Sequence, residues 1–266
     1  MNKKNKILKR LAHDFNFVES LGHKVFGVFL QGSQNYGLDY EGSDIDTKCI
    51  VLPSFEDIIL NRKPVSTTLI LEDNSHIDLK DIRLMWECFK KQNINFLEIL
   101  FTEYFVTNSN YLDLWDIMKE NAEDIAHYNN YAAVNCIVGM ILEKNAALCH
   151  PYPSLMDKIT KYGYDNKQLH HIIRCEEFLN RYIDGVPYGE CLFPTRPSYL
   201  IDVKANYIYS LDDAKELAKA TVDRAKATKQ AYMETHKPEL NENALNVLQE
   251  TLLEAIKRSL KEEIIK

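Results

Sequence analysis

The stretch that most constrains this chain runs from Val25 to Asp46. It opens with Val25-Phe26-Gly27-Val28-Phe29-Leu30, a short, almost wholly apolar run rich in β-formers. Such a run suits a central strand buried on both faces, because a strand with one wet face alternates apolar and polar residues. Gly32-Ser33 and a polar, glycine-rich turn to Ser43 follow, and then a second strand over 45–52, opened by Asp44-Ile45-Asp46 and ended by Pro53. Strand residues i and i+2 point the same way, so Asp44 and Asp46 are predicted to present both carboxylates to one face, with Ile45 turned to the core. Two close carboxylates repel, and a hard divalent cation removes that conflict; Mg²⁺ typically takes one or two carboxylates with phosphate and water. Gly32 lets backbone approach a phosphate closely, and the Ser33 hydroxyl with nearby N–H groups can donate to its oxygens. A third acid, Asp78, stands in His76-Ile77-Asp78-Leu79, flanked by apolar residues where an adjoining strand would place it. Three acids around metal ions suit in-line phosphoryl transfer. A lone Asp-x-Asp is common in turns; the ordered combination is far more specific.

The rest of the chain supplies the frame. Apolar residues at 7, 8, 11, 15, 18 and 21 keep a helical rhythm that Gly22 stops. Strands over 67–71 and 76–79 are separated by a turn at 72–75. From Asp81 onward the pattern is helical: Ile82, Met85, Trp86 and Phe89 share one face, a short apolar helix covers 96–100, and a long helical stretch spans about 110–147. Asp165 caps a helix running to about Asp184, with Gln168 at the capping-box position. Pro187, Pro194 and Pro197 mark 185–210 as a loop region, Ser210 with Asp213 opens another helix, and Asn241 opens the last. The class predicted is α+β, with a small mixed-sheet lobe over 1–108 and a helical lobe over 109–266. On the helix from Asp165, residues Lys167, His170, His171 and Arg174 fall within an arc of about 100°. That basic face suits nucleotide phosphates, Arg174 best of all through its bidentate guanidinium; a solvated charged face is the ordinary alternative.

Gly32-Ser33 followed by Asp44-Ile45-Asp46 and Asp78 resembles the signature of the polymerase-β nucleotidyltransferase superfamily. The fuller string Gly32-Ser33-x-x-Tyr36-Gly37, then Ser43-Asp44-x-Asp46, is similar to the predicted nucleotidyltransferases of bacteria and their phages. The likeness is sharpest over about 31–101 and recurs near 161–184, where Lys167, His171 and Arg174 lie. The resemblance implies a mixed-sheet nucleotidyltransferase lobe that moves NMP from an NTP, ATP among them, to an acceptor hydroxyl with release of pyrophosphate. It implies Mg²⁺, or Mn²⁺ in its place, held by Asp44, Asp46 and Asp78, with Asp78 also helping to deprotonate the acceptor. Gly32 and Ser33 would contact the β and γ phosphates. Beside what the resemblance implies, Tyr36, Ser43, Lys167, His171 and Arg174 are candidates for the nucleotide-binding set, with plain packing the alternative for Tyr36.

Composition narrows the partners. The chain has 266 residues, 45% hydrophobic, with a net charge of -7. That balance argues against sequence-blind binding of long polyphosphate backbones and leaves a single nucleoside triphosphate as the expected partner. The acceptor stays open among an RNA end, a protein and a small molecule. No apolar run approaches the roughly 18 residues of a membrane span, and no signal-peptide core follows the basic start, so a cytoplasmic protein without membrane contact is expected. The six cysteines include no pair within four residues, which excludes a zinc ribbon and predicts reduced, mostly buried thiols. The competing class is a non-catalytic module that binds nucleotides for sensing or assembly.

Overall fold

The computed structural model describes residues 2–73 and 75–265. In chain order the elements are α1 (Lys3–Ser20), β1 (Lys24–Gln31), β2 (Asp46–Leu52), α2 (Phe55–Ile59), β3 (Ser66–Ile70), β4 (His76–Asp81), α3 (Arg83–Lys90), α4 (Ile94–Leu97), β5 (Phe105–Thr107), α5 (Leu112–Glu120) and α6 (Ala122–Ala126). Then come α7 (Asn130–Ala147), α8 (Met156–Tyr162), α9 (Asn166–Ile183), α10 (Tyr188–Cys191), α11 (Pro197–Asn206), α12 (Leu211–Thr235) and α13 (Glu242–Ile265). The fold is α+β, with a five-stranded mixed sheet of order β3-β4-β2-β1-β5. No helix among the described residues is long and apolar enough to cross a membrane.

The chain divides into two compact units. The first comprises residues 1–35, 42–128 and 240–266, and holds the sheet. β1 lies between β2 and β5, which explains its apolar run: six of its eight residues are buried, on both faces. One face packs on α1, where Ile7, Leu11 and Val18 meet Val28, Leu30, Cys49, Val51, Ile77 and Leu79. Asp14 of α1 is fully buried in that layer; it accepts from the Thr47 hydroxyl at 2.7 Å and pairs with the Arg10 guanidinium at 2.7 Å, which pins α1 to β2. The other face carries Phe26 and Phe29, against which Tyr111 and Trp115 pack.

The second unit comprises residues 36–41 and 129–239. Here α9 is the central helix, flanked by α7, α11 and α12. Leu169, Ile172, Ile173 and Leu179 of α9 are buried, as are Val134, Ile137 and Ile141 of α7 and Ala214, Ala218 and Val222 of α12. The Asp165 side chain caps α9 by accepting from the Lys167 N–H at 3.2 Å. Gln168 bonds the Asp165 carboxylate at 3.1 Å and not its backbone N–H, which donates to the Leu148 carbonyl, so the reciprocal half of a capping box is replaced.

Several boundaries differ from the sequence expectation. The division lies at 128/129 and not near 108, and the last helix joins the sheet unit and not the helical one. The reason is packing: α13 buries Ala244, Leu248, Leu252 and Ala255, and neighbours α5, α3 and α6. Arg258 adds a two-pronged pair with Asp113 of α5, each oxygen at 2.8 Å. The helical stretch expected over about 110–147 is three helices, because Asn121 leaves the helical conformation (φ -103°, ψ 16°) and Asn129 caps α7 by accepting from the Ala132 N–H. The expected loop over 185–210 contains α10 and α11, since Pro187 and Pro197 stand at their starts, where a fixed φ and a missing N–H are no handicap. The short edge strand β5 carries no periodic signal and was not expected. The β3–β4 hairpin forms as predicted, with its turn residue Asn74 outside the described residues. Cys49, Cys175 and Cys191 are buried and the other three thiols are half-buried.

Candidate active site

The acidic motif and the Gly-Ser turn meet at one end of the β1–β2 pair. Gln31, the last residue of β1, is aligned with Asp46, the first of β2. Gly32 then turns the chain with φ +78°, in the left-handed region that glycine enters without steric cost, and Gly32–Asn35 form a single 3-10 turn. A Cβ at Gly32 would stand 3.1 Å from Asp46 Oδ2, so the turn backbone lies directly against that carboxylate. Asn35 fixes the turn from behind, donating to the Leu30 carbonyl at 2.8 Å and accepting from the Thr102 hydroxyl at 2.8 Å. Gln34 Nε2 stands 3.5 Å from the carbonyls of both Ser43 and Asp44, which bridges the two halves of the motif.

Asp46 is half-buried and Asp44 is exposed, and among the described residues neither carboxylate takes a hydrogen bond or an ion pair. Asp44 opens on a cleft of about 480 Å³ that it shares with Ser43 and with Lys6, Lys9 and His13 of α1. The Ser33 hydroxyl is half-buried and also without a partner among the described residues. Asp46, unengaged and against the turn backbone, and Asp44, two residues ahead of it, are oxygen donors of the kind that a hard divalent cation takes together with phosphate oxygens.

Asp78 is placed differently. Its β4 position is aligned with Lys48 of the parallel neighbour β2, and its side chain is in ion pairs with Lys48 and, at 2.9 Å, with Lys80. Among the described residues no group of three or more His, Cys, Asp and Glu side chains is close enough to hold a metal ion. Asp78, expected to share a metal, therefore has both oxygens on ammonium groups. Lys48 was not expected at the site. Its side chain is 1% exposed and lies over the Phe96 ring, with Nζ 4.6 Å from the ring centre. Burial pushes its pKa below the ordinary lysine value, against the opposing pull of the Asp78 charge. The sequence does carry a signal: a lysine is rarely buried unless paired, and Lys48 stands inside Thr47-Lys48-Cys49-Ile50, a strand interior.

Tyr36, Lys167, His171 and Arg174 belong to the second unit. There the Arg174 guanidinium lies 4.0 Å from the centre of the Tyr36 ring, and Phe193 meets the same ring edge-on. Tyr36 is 2% exposed and its hydroxyl has no partner among the described residues. Lys167 is exposed and His171 half-buried on α9. His170, expected on the same basic face, points inward and its Nδ1 bonds the Leu200 carbonyl at 2.8 Å. Burial pushes its pKa down to about 4, and burial with the neighbouring His170 pushes His171 well below the usual range. Both rings are thus neutral at physiological pH, and the cationic face of α9 reduces to Lys167 and Arg174.

Among solved structures, the chain is similar to a nucleotidyltransferase-like protein from Exiguobacterium sibiricum 255-15, with a TM-score of 0.30 and 7% identity, over 84% of this chain and 74% of that one. No family model matches the chain, and no curated protein matches it.

Proposed function

We propose that this chain is a metal-dependent nucleotidyltransferase, moving NMP from an NTP to an acceptor hydroxyl and releasing pyrophosphate. The observation that carries the proposal is the close approach of the Gly32 turn to Asp46, with the carboxylates of Asp44 and Asp46 both unengaged among the described residues. A phosphate chain needs N–H and O–H donors on one side and cationic neutralisation on the other. The Gly32–Ser33 backbone and the Ser33 hydroxyl supply the first, and Ser43 stands across the motif beside Asp44. Asp44 and Asp46 would hold Mg²⁺ or Mn²⁺, which when bound neutralises phosphate charge and lowers the pKa of an attacking hydroxyl. Asn35 and Gln34 hold the turn in place, so the donors are fixed before substrate arrives. All of these residues belong to the first unit.

Incubation of the protein with each α-labelled NTP, Mg²⁺ and fractionated cell extract tests the proposal by asking which macromolecule or small molecule gains label while pyrophosphate is released. Asp46→Asn should abolish labelling with an unchanged melting curve. Tight NTP binding by calorimetry with no pyrophosphate from any fraction would overturn transfer and favour a nucleotide-binding module.

A further inference from the structure

Lys48 is a buried ionisable group beside the candidate site to which nucleotidyl transfer as proposed gives no task. An ammonium at 1% exposure loses its hydration, and that loss is offset only by close, well-placed partners. Lys48 has two, one Asp78 oxygen and the face of Phe96. The other Asp78 oxygen, Oδ1, is taken by Lys80 at 2.9 Å. Strand alternation sets Asp46 and Lys48 on the same face of β2, and the parallel register sets Asp78 beside Lys48. Asp46, Asp78 and the ammonium groups of Lys48 and Lys80 therefore share one patch of sheet, and with Asp44 just ahead of β2 the set holds three carboxylates and two ammonium groups. Its net charge is a single negative, which one divalent ion already reverses and two would turn strongly positive before any phosphate is bound.

From these contacts we infer that Lys48 is a built-in second cation: the site takes one divalent ion, on Asp44 and Asp46, while Asp78 positions the Lys48 ammonium and does not ligate metal. The inference rests on the nucleotidyl-transfer proposal and specifies its metal requirement. A tethered ammonium neutralises Asp78 as a second metal would, but without ligand exchange. It also cannot lower the pKa of a bound hydroxyl as a metal does. Activation of the acceptor then falls to the single ion on Asp44 and Asp46.

The test uses the full chain with Mn²⁺ and a non-hydrolysable ATP analogue. Two Mn²⁺ ions about 3.5–4 Å apart couple magnetically, whereas one gives an uncoupled resonance spectrum. The expected spectrum is uncoupled. Asp78→Asn should leave the Mn²⁺ dissociation constant within about twofold, while Asp46→Asn should raise it by about tenfold or more. A coupled-pair spectrum from the unmodified chain overturns the inference, and that measurement needs no variant to fold. A tenfold loss of Mn²⁺ affinity in a folded Asp78→Asn variant overturns it too, and in both cases nucleotidyl transfer stands. Absence of any protein-bound Mn²⁺ would overturn the transfer proposal and this inference with it.

Discussion

Replacing Gly32 with alanine separates two effects that the structure assigns to this one position. The first is conformational: Gly32 has φ +78°, and an L-residue there costs roughly 1–2 kcal/mol. For a chain of this size each kcal/mol lowers the melting temperature by about 2–4 °C, so strain alone should lower it by about 2–8 °C. The second is contact: the new Cβ would meet Asp46 Oδ2 at 3.1 Å, tight enough that the carboxylate must move by a few tenths of an ångström. A ligand held by that carboxylate feels the shift, with an expected loss of about tenfold or more in Mn²⁺ affinity. Gly22→Ala is the matched control, since φ is +88° there and a Cβ would meet nothing within 4 Å. Both variants are followed by thermal unfolding and by Mn²⁺ titration with the ATP analogue. Both should lose similar stability, and only Gly32→Ala should lose affinity. Equal affinities in the two variants would refute the functional meaning of the close approach, and an undiminished melting temperature for Gly32→Ala would refute the backbone geometry.

Two further outcomes follow from burial. His170 titrates near 4 in the folded chain against about 6.5 unfolded, so protons bind the unfolded state first as pH falls. Stability is therefore complete above about pH 6.5 and lost below it, by about 2 kcal/mol at pH 5 from this residue alone. Urea unfolding should show that slope, and His170→Gln, which keeps a donor for the Leu200 carbonyl, should flatten it; equal slopes in both proteins would contradict the buried neutral ring. A fragment ending at residue 108 lacks Tyr111, Trp115 and α13, and so leaves Phe26 and Phe29 uncovered. Losing a buried aromatic partner costs about 3–5 kcal/mol, a large part of the 5–15 kcal/mol that holds a typical domain together. The fragment should give a poorly dispersed amide spectrum, and a sharp, dispersed one would refute the assignment of α5 and α13 to the sheet unit.

The local order of this protein is written in short-range patterns. The apolar run of β1, the positive-φ demand at Gly32 and the caps at Asp165 and Ser210 each depend on residues within a few positions, and each forms where the sequence puts it, whereas β2 begins only at Asp46 and leaves Asp44 and Ile45 ahead of the strand. What depends on distant partners is not legible in that way. Periodicity shows that α13 has an apolar face; only packing decides that this face covers the sheet unit. Alternation puts Asp78 on a strand; only the parallel register with β2 brings Lys48 beside it and pairs its carboxylate with a buried ammonium. His170 and Lys167 share one face on a helical wheel, but the structure buries the first, which keeps its ring neutral, and leaves the second exposed. Charge state, pairing and coverage are set by desolvation and by neighbours far away in the chain, so they were decided in the tertiary structure alone.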